Sequence, residues 1–292
     1  MRSELERYAE DLLGPCRTTK DCSWNHGGSR VIRVRDAEGS SWYVKQHPHQ
    51  ELHTREVAAY QRWVPALGNR APWLRAYDDE RRLLVLSEVP GDTFVSVDTG
   101  VDPGVDAGHR TDVDVYHQAG TLLRRLHDAE ALPPYGDYAA RKQATLESWA
   151  ARADGLLDRR ELDFARSELR SLDGIPEPSL VPCHLDYSPR NWLVASGRVQ
   201  VIDFEWAGPE VWVSDLARLY FGPWRQRPDL RDAFLAGYGR DLDGDAHGIL
   251  LAGHALTAVW HVIWGHTHGN ASFAASTRQT LQALMRREFS WF

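Results

Sequence analysis

The run VPCHLDYSPRNWLV, residues 181 to 194, sets His184, Asp186 and Asn191 into one short polar loop between two apolar arms, and VQVIDFEW (199 to 206) follows closely. Val-Gln-Val-Ile-Asp alternates as a strand does, so NWLV and VQVID read as the two arms of a hairpin. That hairpin brings Asn191 and Asp203 to the same end. Two oxygen-bearing side chains distant in sequence can then meet one metal ion.

The remainder of the chain falls into a strand-bearing start and a helical end. Leu5, Tyr8, Leu12 and Leu13 recur at helical spacing before Gly14-Pro15 stops them. RVIRV (30 to 34) and SWYVKQ (41 to 46) read as an antiparallel hairpin with Lys45 at the end of its second strand. ELHTREVAAYQRWVPAL reads as a helix with Glu56 in its middle, and RLLVLSEVPG (82 to 91) as a buried strand that leaves its sheet at Ser87 to Val89. Asp98, Asp102, Asp106, Asp112 and Asp114 stand among Gly and Pro, which reads as an acidic connector over about 97–115. Helices are expected from 116 on, over 138 to 157, over 159 to 173, and through most of 228 to the end.

Composition removes several function classes. The 34 basic against 41 acidic residues give a net charge of −7, which argues against nucleic acid as a partner. No apolar run reaches the roughly 20 residues of a membrane helix, and the charged start is no signal sequence. No membrane association and a cytoplasmic location are expected. Cys16, Cys22 and Cys183 form no Cys-x-x-Cys pair, so reduced thiols are expected rather than zinc or redox chemistry.

The polar residues match the few parts that phosphoryl transfer needs: a cation on the phosphates, oxygen ligands for Mg²⁺, and a carboxylate to receive the acceptor hydroxyl. Lys45 is the candidate cation, and Glu56, eleven residues on, its ion-pair partner. Asp186 would take the hydroxyl proton, while Asn191 and Asp203 would supply oxygens to the metal.

HLDYSPRN followed by VIDFEW resembles the catalytic loop and metal motif of the aminoglycoside phosphotransferase and choline kinase superfamily. The order Lys45, Glu56, LLVLSEVPG, LLRRLH (122 to 127), His184, Asp186, Asn191, Asp203 and Asp215 extends the resemblance over nearly the whole chain. It implies an α+β, bilobal protein-kinase-like fold with a small antiparallel-sheet N-lobe and a larger, mainly helical C-lobe. Residues 1–90 would be the nucleotide-binding lobe and 91–292 the catalytic and acceptor-binding lobe. ATP or GTP with Mg²⁺ would give its γ-phosphate to a small hydroxyl-bearing acceptor. The resemblance further implies Asp186 as the base, Asn191 and Asp203 as metal ligands, and Lys45 on the phosphates. Backbone at Ser87 and Val89 would meet the nucleotide base, and His184 and Asp215 would support the loop.

Three loop positions, Leu185, Ser188 and Arg190, depart from the usual family pattern where an acceptor could touch. Glu205, after Asp-Phe, is closer to the choline-kinase style and is an added metal, water or acceptor contact. His261 and Trp264 share a helical face with His254 and Thr257, and the resemblance implies that this helix shapes the acceptor pocket; the other reading of that face is a packed core. The expected acceptor is an aminoglycoside-like antibiotic or amino sugar. Choline or an amino alcohol, and a catalytically silent nucleotide-binding module, stay as alternatives. A protein kinase does not fit, because AGPE (207 to 210) follows Asp203 too soon to leave an activation loop.

Overall fold

The computed structural model describes residues 3–23, 28–94, 106–134, 136–153 and 155–288, with side chains from residue 112 onward in the helix that opens at 106. Its elements in chain order begin with α1 (Glu4–Leu13), β1 (Cys16–Asp21), β2 (Arg30–Asp36), β3 (Ser41–Gln46), α2 (Gln50–Arg62), β4 (Leu74–Asp78), β5 (Leu83–Ser87) and β6 (Asp92–Thr93). There follow α3 (Asp106–His127), α4 (Tyr138–Ala150), α5 (Arg159–Arg170), β7 (Leu180–Cys183), β8 (Trp192–Ala195), β9 (Arg198–Val201) and β10 (Gly208–Val211). The chain closes through α6 (Ala217–Tyr220), α7 (Pro228–Tyr238), α8 (Gly244–Thr267) and α9 (Ala271–Met285).

Two compact units divide these elements. One comprises Met1–Ala131, Val181–Glu210 and Gln226–Arg240; the other comprises Leu132–Leu180, Val211–Arg225 and Asp241–Phe292.

In the first unit an antiparallel five-stranded sheet runs in the order β1-β2-β3-β5-β4. Strand alternation sends Ile32, Val34, Val44, Leu83 and Val85 to one face, where Leu5 and Ala9 of α1 pack on them. The helix starts cleanly because Ser3 and Glu6 cap one another's backbone N–H groups. Leu5 is fully buried, so truncating it to Ala would cost about 2–5 kcal/mol. The same alternation places Lys45, paired across the strands with Val31 and Leu84, on the other face.

β8 and β9 form the expected hairpin, in register from Trp192↔Val201 to Ala195↔Arg198, with β6 added beside β8. Ser196 and Gly197 both take positive φ, the requirement of a two-residue turn that matches strand twist. α3 and α7 touch backbone to backbone through glycine: a Cβ on Gly120 would lie 2.1 Å from the Phe234 carbonyl oxygen, and one on Gly237 would lie 2.0 Å from that of His117.

α3 corrects the expected connector. It opens at Asp106, with Val115 and Tyr116 buried, while 97–105 lie outside the described residues. Asp112 is buried with Arg227 at 3.6 Å, so this acidic residue is paired inside a helical packing rather than solvated in a loop.

The second unit is helical. α8 packs on α5 and α9, and Glu161, buried near the start of α5, accepts Arg278 Nε at 2.7 Å and Gln282 Nε2 at 3.0 Å from α9. The 24-residue α8 is long and apolar enough to cross a membrane by length and composition, against the sequence expectation. More than half of its most apolar window is buried against protein, as in a core helix. α4 and α5 end sooner than the expected 157 and 173.

Candidate active site

The loop between β7 and β8 is anchored by its own aromatic residue. Tyr187 is buried, donates to the Ala119 carbonyl of α3 at 2.7 Å, and packs against Trp192 and Phe234. His184 accepts from the Asp186 N–H at Nδ1 (3.3 Å) and donates from Nε2 to the Ile202 carbonyl (3.0 Å). Those partners leave the proton on Nε2 and make His184 a tie between the loop and the strand that leads to Asp203.

Asp186 is buried. Asn191, also buried, donates its amide to the Asp186 carbonyl oxygen at 2.9 Å and to Oδ2 at 3.0 Å. Among the described residues nothing donates to Asn191 Oδ1, so this oxygen is available to a cation. The Ile202 N–H donates to the Asn191 carbonyl at 3.1 Å, which closes the base of the hairpin and brings Asp203 to the same end. An amide oxygen and a carboxylate are hard donors that fit Mg²⁺.

Asp203 takes φ +68°, a left-handed conformation that Asp tolerates better than most residues. Leu185 takes φ +61°, a left-handed backbone conformation that glycine adopts freely and a leucine does not. Phe204 packs between Tyr60 of α2 and His184, coupling the helix that carries Glu56 to the loop.

Lys45 gathers three carboxylates: Asp203 Oδ1 at 2.7 Å, Glu56 Oε2 at 3.0 Å and Glu205 Oε2 at 3.0 Å. Burial alone would lower the ammonium's pKa, but Asp203, Glu56 and Glu205 outweigh it and hold Lys45 well above the ordinary lysine range. Burial likewise opposes the Asp203 charge, yet Lys45, with Arg190 adding, keeps its carboxyl below the usual value.

Sequence reasoning missed two members of this network. His47, fully buried, places Nε2 2.6 Å from Glu56 Oε2 and Nδ1 2.9 Å from Ser29 Oγ, which in turn donates to Glu205 at 3.0 Å. The available signal was parity: His47 stands two residues beyond Lys45 along an extended chain and so shares its face.

The remaining expected residues separate. Ser87 ends β5, exchanging bonds with Trp73 through its N–H (3.0 Å) and its Oγ (2.9 Å). Val89 follows half-buried, and its N–H and carbonyl have no partner among the described residues. Glu205, expected as an added metal, water or acceptor contact, sits at Lys45 and Ser29. Asp215 is buried in the turn Trp212–Leu216 of the second unit. His261 and Trp264 also belong to that unit, on α8, where both pack on Phe273 and Trp264 stacks on His268.

Residues 25–247 match the sequence pattern of the phosphotransferase enzyme family. A comparison with curated protein sequences finds no match. Among solved structures, the ternary complex of a thermostable aminoglycoside phosphotransferase APH(4)-Ia variant with ADP and hygromycin B is similar. It has 15% identity and a TM-score of 0.72, over 97% of this chain and 98% of that one. The macrolide 2'-phosphotransferase MphH of Brachybacterium faecium is 19% identical with a TM-score of 0.63, over 94% of each chain. The gentamicin complex of APH(2")-IIa is 14% identical with a TM-score of 0.66, over 97% of this chain and 96% of that one. At these identities the likeness shows the fold: an α+β kinase-like fold with an antiparallel sheet in its N-terminal part and helices in its C-terminal part.

Proposed function

This chain belongs to the phosphotransferase enzyme family, and from that premise we propose that it moves the γ-phosphate of ATP or GTP to a hydroxyl of a small molecule. The observation that carries the reading is the convergence of Lys45, Asp203, Asn191 and Asp186 through bonds of 2.7 to 3.1 Å.

In this reading residues 1–90 contact the nucleotide, and 91–292 carry the transfer chemistry and the acceptor contacts. The unpartnered backbone of Val89, with Ser87 before it, meets the base. Lys45 turns from Asp203 and Glu205 to the phosphates, held in place by Glu56. Asn191 Oδ1 and Asp203 would hold Mg²⁺, which when bound supplies positive charge to the phosphate oxygens. Asp186 accepts the acceptor's hydroxyl hydrogen, orients the oxygen's lone pair toward phosphorus, and takes the proton as the new bond forms. His184 braces the loop. His261, Trp264 and their neighbours on α8 are proposed acceptor contacts.

The acceptor proposed is an aminoglycoside-like antibiotic or an amino sugar, in line with what the similar structures bind, and the place of action proposed is the cytoplasm. Glu205 after Asp-Phe favours a second reading, an amino alcohol such as choline. The experiment is transfer of labelled γ-phosphate from ATP and GTP, with Mg²⁺, to a panel of amino sugars, aminoglycosides, macrolides and choline. A labelled product that requires Mg²⁺ supports the reading. Absence of both transfer and Mg²⁺-dependent nucleotide binding would overturn it.

A further inference from the structure

Arg190 is a departure from the family pattern that the roles above leave unused. It stands in the turn Pro189–Asn191, its side chain about half exposed, and its Nη2 hydrogen-bonds Oδ2 of Asp186. That oxygen is the one Asn191 also holds, at 3.0 Å. Its charge acts on Asp203 as well. The guanidinium makes one hydrogen bond among the described residues, so most of its N–H donors are unused.

The ion pair joins a half-exposed guanidinium to a buried carboxylate, and its position has consequence. An acceptor oxygen bonded to Asp186 lies about 3 Å from that carboxylate, and the phosphorus it attacks lies about 3–3.5 Å further. The terminal phosphate oxygens therefore come within roughly 6 Å of a group that Arg190 already touches. Lys45 is shared among three carboxylates and brings little uncompensated charge to a triphosphate. A planar guanidinium with free donors suits phosphate oxygens better than an ammonium would.

We propose that Arg190 is a phosphoryl-contacting residue: it covers Asp186 in the ligand-free protein and moves onto the γ-phosphate oxygens when a nucleoside triphosphate binds. The move also frees Asp186 for the acceptor. As the acceptor oxygen bonds to the γ-phosphorus, the bond from that phosphorus to the β–γ bridging oxygen breaks. Its electron pair leaves with the nucleoside diphosphate, and the hydroxyl proton passes to Asp186. Arg190 then faces the oxygens of the transferring group.

This inference rests on the phosphotransfer reading, and its test separates the two. Equilibrium binding of the magnesium complexes of ADP and of the non-hydrolysable imido analogue of ATP is measured by tryptophan fluorescence, with thermal melting as the folding control. Arg190→Ala is expected to weaken the triphosphate analogue about tenfold, the worth of one charge-assisted hydrogen bond, and the diphosphate less than about twofold. Arg190→Lys should recover part of the preference. Equal losses on both nucleotides, or none on either, would overturn the inference while leaving the phosphotransfer reading intact. A wild-type protein that binds neither nucleotide would overturn both.

Discussion

Nε2 of His47 lies 2.6 Å from Oε2 of Glu56, the same carboxylate oxygen that Lys45 meets at 3.0 Å. Glu56 is fully buried, and its orientation depends on both partners. Through Ser29 and Glu205 the imidazole also closes a ring of hydrogen bonds and ion pairs back to Lys45. The ring fixes the direction of the lysine from two sides.

His47→Ala should therefore lower stability by about 1–3 kcal/mol, the cost of leaving a buried polar partner unsatisfied. Urea unfolding of His47→Ala, Ser29→Ala and the double variant checks it. The ring predicts coupling of at least about 0.5 kcal/mol between the two sites. Strictly additive losses would mean that the two side chains act separately.

Leu185 at φ +61° carries a cost that its neighbours impose. A non-glycine residue in that conformation is disfavoured by roughly 1–2 kcal/mol, while glycine brings about 0.5–1 kcal/mol of extra unfolded-state entropy. Leu185→Gly should be neutral or stabilising by up to about 1 kcal/mol. The β-branched Leu185→Val should instead destabilise, and paired thermal melts would show the order Gly, Leu, Val.

What the sequence made legible follows from where each signal lives. The β8–β9 hairpin, α1, the β2–β3 hairpin and β5 carry alternating or helical apolar patterns, and all stand where expected. β1 and β4 were not expected because they are the edges of the sheet: CRTTKD buries almost nothing, and LRAYD buries only partly, so neither writes a core pattern. The pairing of Lys45 with Glu56 was readable from spacing and type. His47 was readable only as sharing the face of Lys45, because a histidine after a strand has no distinctive neighbours until the fold brings Ser29 and Glu205 to it. The connector was misread because acidic residues look solvated in sequence, whereas Asp112 is paired and buried.

His254 gives the second unit a pH signature. Its ring stacks on Phe221 with centroids 3.5 Å apart, and Nε2 is buried without a partner among the described residues. Burial, with the charges of His261 and Arg218 adding, pushes its pKa down to about 3. The unfolded chain, with a pKa near 6.5, binds this proton first, so the folded state is favoured above that value and loses stability as pH falls toward about 3. From pH 7.5 to 5 the loss from this residue is about 2 kcal/mol. His254→Phe keeps the stack and should flatten that part of the profile in denaturant titrations at the two pH values. An unchanged slope would show that His254 is protonated in the folded protein.

The central claim is that Asp186 takes the acceptor proton during phosphoryl transfer, and Asp186→Asn tests it most directly. The amide keeps an oxygen toward Asn191 but cannot accept the proton. With the acceptor found by the labelled-phosphate panel, turnover should fall by about 10²–10⁴, while affinity for the magnesium nucleotide stays within about threefold of wild type. A variant that transfers phosphate as fast as the wild type would contradict the account.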